Sequence, residues 1–426
     1  MERLISCFGL VAMIAIAWLI GSRKRKILPR LIIGGLLLQF AFAVVILRTD
    51  PGKYVFRVTG DFFTNLIGYV DAGSAFMFDF VASEKPLPGT NGVLVTHSYR
   101  LVRSFAFRVL PSIIFFSSLM SMLYYIGVMQ KVVAFFAWIM QWSLGTSGAE
   151  SLSAAANIFV GQTEAPLVIR PYISSMTVSE LNAVMVGGFA TIAGGVLAAY
   201  VSMGINAGHL ITASVISAPA ALLIAKVMQP ETEHSNTLGH VEIDVEQKSV
   251  NLIEAASSGA TDGMKLAINV GAMLIAFLAI IAMLNGLIGW TGRWFGFAGP
   301  HTWSLERGLG YVFFPFAWLM GIQAKECLLS GELLGIKMAA NEFLAYDRLG
   351  AIVDSAGPHR LSDRTVTILT YAISGFANFS SIGIQIGGIG GIAPERRSDL
   401  ARLGLRAMIG GTLACFMTAC VAGILI

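Results

Sequence analysis

GGFATIAGGV, residues 187–196, and SGFANFSSIG, residues 374–383, decide how this chain is read. Both contain Gly-Phe-Ala and then run into small and polar residues, in the middle of segments otherwise apolar enough for a membrane interior. A helix that breaks at that depth frees backbone N–H and C=O groups that lipid cannot satisfy, so the break survives only where protein or a wet cavity covers it. Thr191–Gly195 and Asn378–Ser381 are therefore expected to be cavity walls. Upstream of each break lies a polar tip. NIFVGQTEAPLVIR (157–170) sets Gln162, Thr163 and Glu164 in a row before Pro166, and AANEFLAY (339–346) centres on Asn341 and Glu342. The order polar hairpin tip, interrupted helix, final helix thus occurs twice.

The composition places these features in a bilayer. Of the 426 residues 55% are hydrophobic and 13% charged, against about 25% charged in ordinary soluble domains. We read an all-α polytopic membrane protein. Neutral intervals at Leu4–Ser22, Leu31–Leu47, Val109–Gln130, Val132–Ala149, Leu266–Thr291, Thr365–Pro394 and Ala407–Ile426, with Leu181–Ala225 long enough for two crossings, give about eight transmembrane helices. Two re-entrant hairpins are added to these. Three crossings (179–204, 208–227, 266–290) separate the tips. An odd number makes the hairpins enter from opposite faces, the inverted repeat in which substrate and ion sites sit near the bilayer midplane between broken helices. The expected organisation is residues 1–130 as N-terminal helices and an interfacial helix forming a scaffold, and 131–228 as the first repeat. A cytoplasmic loop, scaffold helix and interfacial segment follow at 229–305, then the second repeat at 306–426.

Basic clusters at Arg23–Arg30 and Arg396–Arg406 assign those loops to the cytoplasm, and an even number of crossings puts both termini outside. Arg100, Arg103 and Arg108 stand on the side that this orientation makes external, in conflict with it. The first apolar run is read as a retained helix, because the basic cluster follows it. Arg48–Val70 mixes aromatic and charged residues as an interfacial helix does. Ser83–His97 reads as a loop and Gln229–Ser249 as an acidic cytoplasmic connection. Cys7, Cys327, Cys415 and Cys420 read as buried small residues without a disulfide, and the net charge of +4 as an orientation signal that implies no nucleic-acid partner.

The tips carry amides, hydroxyls and carboxylates. Neither contains Arg or Lys, although Lys337 stands five residues before Glu342. Such a site favours a neutral, hydroxyl- and amide-rich ligand over a phosphate or carboxylate. A carboxylate accepting two ribose-type hydroxyls and a Gln or Asn facing the edge of a base would satisfy it. Glutamates at membrane depth mark function by default, whereas Gln162, Asn378 and Ser381 equally suit interhelical hydrogen bonding, and Phe376 and Phe379 suit packing. The run GIQIGGIGGIAP (383–394) lacks the acidic residue of a dinucleotide fingerprint and reads as close helix packing. No HExxH or CxxC occurs and no histidine stands in metal-ligand spacing, so the chain is not read as an enzyme. A membrane enzyme using Glu164 and Glu342 as acid and base is the competing class, and an ion channel or exchanger with paired intramembrane glutamates is another.

GQTEAPLVIRPYI (161–173), GIKMAANEFLAY (335–346) and SGFANFSSIGIQIGG (374–388) resemble the three most characteristic motifs of the concentrative nucleoside transporters, in their order and spacing. The resemblance covers roughly residues 100–426, and the two leading helices fit the short bacterial members. It implies a homotrimer with a central scaffold and a mobile transport domain of two re-entrant hairpins and two unwound helices, moving as an elevator in a bacterial inner membrane. By motif match, Gln162, Thr163, Glu164 and Val196 would face the nucleobase of a nucleoside such as uridine or adenosine. Glu342, Asn378 and Ser381 would hold its ribose, with Phe376 lining the pocket. The resemblance places sodium between Asn157, Val160, Thr191 and Ile192, oxygen ligands of the kind a hard cation takes. Proton-coupled bacterial members carry Ser and Asn where this chain has Thr163 and Ala165. GQTEAP is similar to the sodium-coupled branch, so sodium is the expected coupling ion, with the proton as alternative and no other cofactor.

Overall fold

The computed structural model describes residues 1–22, 29–78, 109–237, 249–294, 303–354 and 361–426. The loop expected at Ser83–His97, the arginines at 100, 103 and 108, and 238–248 of the acidic connection lie outside the described residues. Among the described residues every regular element is helical. The N-terminal third gives α1 (Glu2–Ile20), α2 (Pro29–Arg48), α3 (Asp50–Phe78), α4 (Leu110–Tyr125) and α5 (Val128–Leu144). The first hairpin follows as α6 (Gly148–Ala156), α7 (Ala165–Val168) and α8 (Arg170–Ile173). Beyond it come α9 (Val178–Ala190), α10 (Gly194–Ser202) and α11 (Ala207–Met228), then the long α12 (Leu252–Trp294) and α13 (Leu305–Leu319). The second half repeats the order: α14 (Ala324–Ala339), α15 (Glu342–Asp354), α16 (Asp363–Ile373), α17 (Phe379–Ile392) and α18 (Arg397–Leu425).

Local chemistry sets the ends. Both α6 and α9 open with capping boxes, Ser147 with Glu150 and Thr177 with Glu180, which satisfy backbone donors that the helix itself leaves open. Glycines in left-handed conformation, Gly127 (φ 81°) and Gly145 (φ 69°), bracket α5, a backbone region most side chains avoid. The turn at Gly127 bends α4 against α5 by 80°. The crossings expected at Val109–Gln130 and Val132–Ala149 are accordingly not two parallel spans. Six helical segments among the described residues are long and apolar enough to cross a membrane, or seven if the bent α4–α5 pair is one span.

Three elements form the centre of the molecule: α9, α11 and the part of α18 from Ala407 to Gly423 are buried along nearly their whole circumference. Small residues allow the approach. A Cβ on Gly411 would overlap Phe189 of α9, and one on Gly410 would stand 3.0 Å from Val186 Cγ2. In contrast α12 spans 43 residues, ~65 Å at 1.5 Å per residue, and exposes Ile268, Ile275, Met283, Leu287 and Trp290. Cys7 is also exposed, contrary to expectation, because α1 buries the stripe Ser6, Gly9, Leu10, Met13 and Ala17 and turns position 7 outward. Cys327, Cys415 and Cys420 are buried and free.

The base of the first hairpin is tied down by charge. Lys226 Nζ of α11 meets Glu150 Oε2 at 2.7 Å and Glu231 Oε2 at 3.3 Å, and donates to Ser179 Oγ at 2.9 Å. Beside it, Glu180 Oε1 accepts from the hydroxyls of Ser235 (2.5 Å) and Thr237 (2.7 Å). The described beginning of the acidic connection is thus folded back onto α6 and α9.

Candidate functional site

The first tip is a compact turn. α6 ends at Asn157, and the Gly161 N–H donates to Glu164 Oε2 at 3.2 Å. Pro166 sits in the first turn of α7, where its missing N–H costs nothing. The tip lies against the first break: the Gly194 N–H donates to Phe159 O at 2.9 Å, and a Cβ on Gly161 would stand 3.2 Å from that of Ala193. That break comprises Thr191, Ile192 and Ala193, within the expected stretch.

The second break spans Ser374–Asn378, beginning four residues before the stretch that composition marked. Asn378 explains why the break also ends early, since its Oδ1 accepts from the Ser381 N–H at 2.9 Å and so restarts the helix at Phe379. Ser380 and Ser381 therefore occupy the first turn of α17. Asn378 Nδ2 donates to Glu342 Oε2 at 3.1 Å, and Tyr200 Oη donates to Glu342 Oε1 at 3.1 Å. Glu342 is 2% exposed, so both carboxylate oxygens meet donors from helices outside their own hairpin. A buried carboxylate is stable only when so partnered.

The two breaks are joined. The Phe376 N–H donates to Thr191 O at 3.3 Å, and Cys415 Sγ of α18 reaches Ser374 O at 3.1 Å and Ala190 O at 3.5 Å. Across the same junction Gln162 Nε2 donates to Ser381 Oγ at 3.1 Å, while Gln162 Oε1 accepts from Gln385 Nε2 at 3.0 Å. Gln385 also donates to Met185 O at 3.1 Å.

These contacts enclose one cavity of about 120 Å³. Gln162, Thr163, Glu164, Val196, Glu342, Phe376, Asn378 and Ser381, all expected from the sequence, line it together. Asn341 and Ser380 line it too, and Leu266, Val270 and Met273 of α12 form the opposite, apolar wall at i, i+4 and i+7 spacing. Sequence reasoning missed Tyr200 and Gln385. Tyr200 stands one helical turn after Val196 and Gln385 one turn after Ser381, so i+4 neighbours of the chosen residues were the available signal.

The four residues expected around a cation are buried: Asn157, Thr191 and Ile192 at 1% exposure and Val160 at 7%. Thr191 Oγ1 donates to Gly187 O at 2.9 Å, leaving its lone pairs open. Asn157 lies against Gly187, where an added Cβ would be 3.3 Å from its Nδ2. Both Asn157 side-chain atoms lack a hydrogen-bond partner. A buried unpaired amide is costly, and an oxygen-seeking cation beside Oδ1 would relieve it, so the donor set fits sodium.

Three family models cover the chain: "Na+ dependent nucleoside transporter N-terminus" over residues 8–81, "Nucleoside recognition" over 106–207 and "Na+ dependent nucleoside transporter C-terminus" over 209–423. An uncharacterized transporter of Haemophilus influenzae is 46% identical over 100% of this chain and 98% of its own length. The chain belongs to the Na+-dependent nucleoside transporter family. A hagfish (Eptatretus stoutii) family member, solute carrier family 28 member 3, is 45% identical over the whole chain, which spans 61% of that relative's length. Among solved structures, CNTnw in an inward-facing substrate-bound state superposes with a TM-score of 0.90 at 44% identity, covering 100% of this chain and 98% of that one. Membership places the chain among membrane transporters and not among enzymes.

Proposed function

We propose that this protein is a secondary active transporter that imports nucleosides by symport with a cation, sodium in preference to the proton, through an elevator-type movement. The observation that carries the reading is the shared cavity, in which the two tips and two breaks pool neutral hydrogen-bonding groups around one buried carboxylate. Glu342, held by Asn378 and Tyr200, is the acceptor for ribose hydroxyls; Ser381 completes that side and Phe376 lines it. Gln162, Thr163 and Glu164 face the base, with Val196 beneath it. The hydrogen bonds among these groups are the ones a ligand would exchange for its own, so few buried polar atoms are left unpaired in either state.

Sodium bound by Asn157, Val160, Thr191 and Ile192 would brace the first tip against the first break, and so pre-form the base-binding side. Because the breaks are hydrogen-bonded to each other, both repeats (131–228 and 306–426) would move as one unit. They would slide along the apolar wall of α12, which with residues 1–130 would serve as scaffold. The exposed apolar face of α12 suits contact with lipid and with two further copies in a homotrimer. A multi-pass protein of a bacterial inner membrane, with an inverted repeat and both termini outside, is consistent with the whole.

Uptake of radiolabelled uridine into proteoliposomes tests this reading, with an inward sodium gradient, an inward proton gradient and no gradient. Accumulation driven by sodium alone is expected. Accumulation driven only by protons would keep the nucleoside pocket and overturn the ion assignment. No accumulation of uridine, adenosine or inosine under any gradient would overturn the reading itself.

A further inference from the structure

Lys337 is 1% exposed and its Nζ has no hydrogen-bond partner. A buried ammonium without a compensating negative environment is strongly unfavourable, so its surroundings need an account. It stands in the last turn of α14, where the helix presents its negative end. Five residues on, Glu342 opens α15 across the second tip, and Lys337 contributes to the electrostatic surroundings of that carboxylate and of the Cys415 thiol on α18 without a hydrogen bond to either. Cys415 in turn reaches the carbonyl oxygens of Ser374 and Ala190, released where α16 and α9 stop. Lys337 is thus a buried, unpartnered cation at the C-terminal end of the hairpin helix α14, within electrostatic reach of Glu342 and of the α18 thiol that meets the carbonyls at the ends of α16 and α9.

The first half has the same construction with the opposite content. There α6 ends at Asn157 beside the last turn of α9, and the buried unpartnered group is a neutral amide. Two helix C-termini directed at one place favour a positive charge between them. The first half contains none of its own at that place and the second half does. We propose that Lys337 is a tethered cation doing at the second break what the transported ion does at the first: it holds Glu342 in place as the acceptor for the ligand's hydroxyls. The inference rests on the nucleoside reading above. Lys337 does not line the cavity, so it is a positioning residue acting through Glu342, and the ion is read by the first break alone.

Competition against radiolabelled uridine on the purified full-length protein in saturating sodium separates this role from a merely structural one. The competitors are uridine and 2′,3′-dideoxyuridine, which keeps the base and lacks the hydroxyls. In the unmodified protein uridine should bind at least about tenfold tighter. Lys337→Met should weaken uridine by about tenfold while changing dideoxyuridine by less than about threefold, so that the preference collapses. Equal losses for both ligands, or no loss for either, would overturn the proposal. Assembly is followed by size-exclusion chromatography. If Lys337→Met does not assemble, Lys337→Gln enters the same comparison, and failure of both to assemble would also overturn it by assigning the charge to folding. A wild-type protein that does not bind uridine, or that binds both competitors equally, would instead tell against the nucleoside reading.

Discussion

The two halves of the molecule distribute charge in opposite ways. In the first half the charged groups gather at the base, where Lys226 joins Glu150 and Glu231 and Glu180 collects the hydroxyls of Ser235 and Thr237. Beside the break, at the end of α6, stands a neutral, unpartnered Asn157. In the second half the charge lies at the centre: Glu342 and Lys337 are both almost wholly buried next to the break. On the proposed reading, the neutral break with unpaired oxygen would receive the ion, and the half that already holds a carboxylate and an ammonium would receive the hydroxyls.

This contrast can be broken at the second half first. Glu342→Gln replaces a charged acceptor of two hydrogen bonds by an amide, and uptake is expected to fall by about a hundredfold while size-exclusion chromatography shows unchanged assembly. Uptake at the wild-type rate would remove Glu342 from the site. At the base of the first half, Lys226→Met leaves Glu150 buried without its partner. Chemical denaturation should report a loss of about 3–5 kcal/mol, and a smaller one would mean that the network is dispensable. Asn157→Ala sharpens the comparison. It should raise the sodium concentration needed for half-maximal uridine binding, equivalent to about 1–3 kcal/mol, and leave uridine affinity in saturating sodium nearly unchanged. Asn378→Ala should do the reverse, weakening uridine by about 1–3 kcal/mol with the sodium requirement retained. Unchanged affinity would make Asn378 a helix cap and nothing more. At the shared support, Gly411→Ala presses on Phe189 and should cost about 1–3 kcal/mol in a thermal-shift or denaturation assay.

Much of this was legible in the sequence because polar residues in an apolar background are informative wherever they stand. Gln162, Glu164, Glu342 and Asn378 stood out against lipid-facing neighbours, and their positions at tips and breaks followed from the cost of exposing backbone there. What stayed hidden depends on long-range packing. Tyr200 looks like an ordinary aromatic of a buried helix until α10 is placed against the second tip, and the burial of Lys337 appears only in the folded chain. The second break ends earlier than composition marked because Asn378 caps α17 through its own side chain, which composition alone does not distinguish from an interhelical hydrogen bond. The bend at Gly127 was missed for a similar reason: an apolar run reads as one direction until a left-handed glycine turns it.

The two halves are linked through the hydrogen bond between their breaks. Uridine titrated into the purified protein by calorimetry, once in sodium chloride and once in choline chloride, measures that linkage. Binding of each ligand should strengthen the other by the same factor, so uridine is expected to bind at least about tenfold tighter in sodium, and Asn157→Ala should shrink that ratio at moderate sodium. Equal uridine affinity in the two salts would contradict the assignment of the ion to the first break.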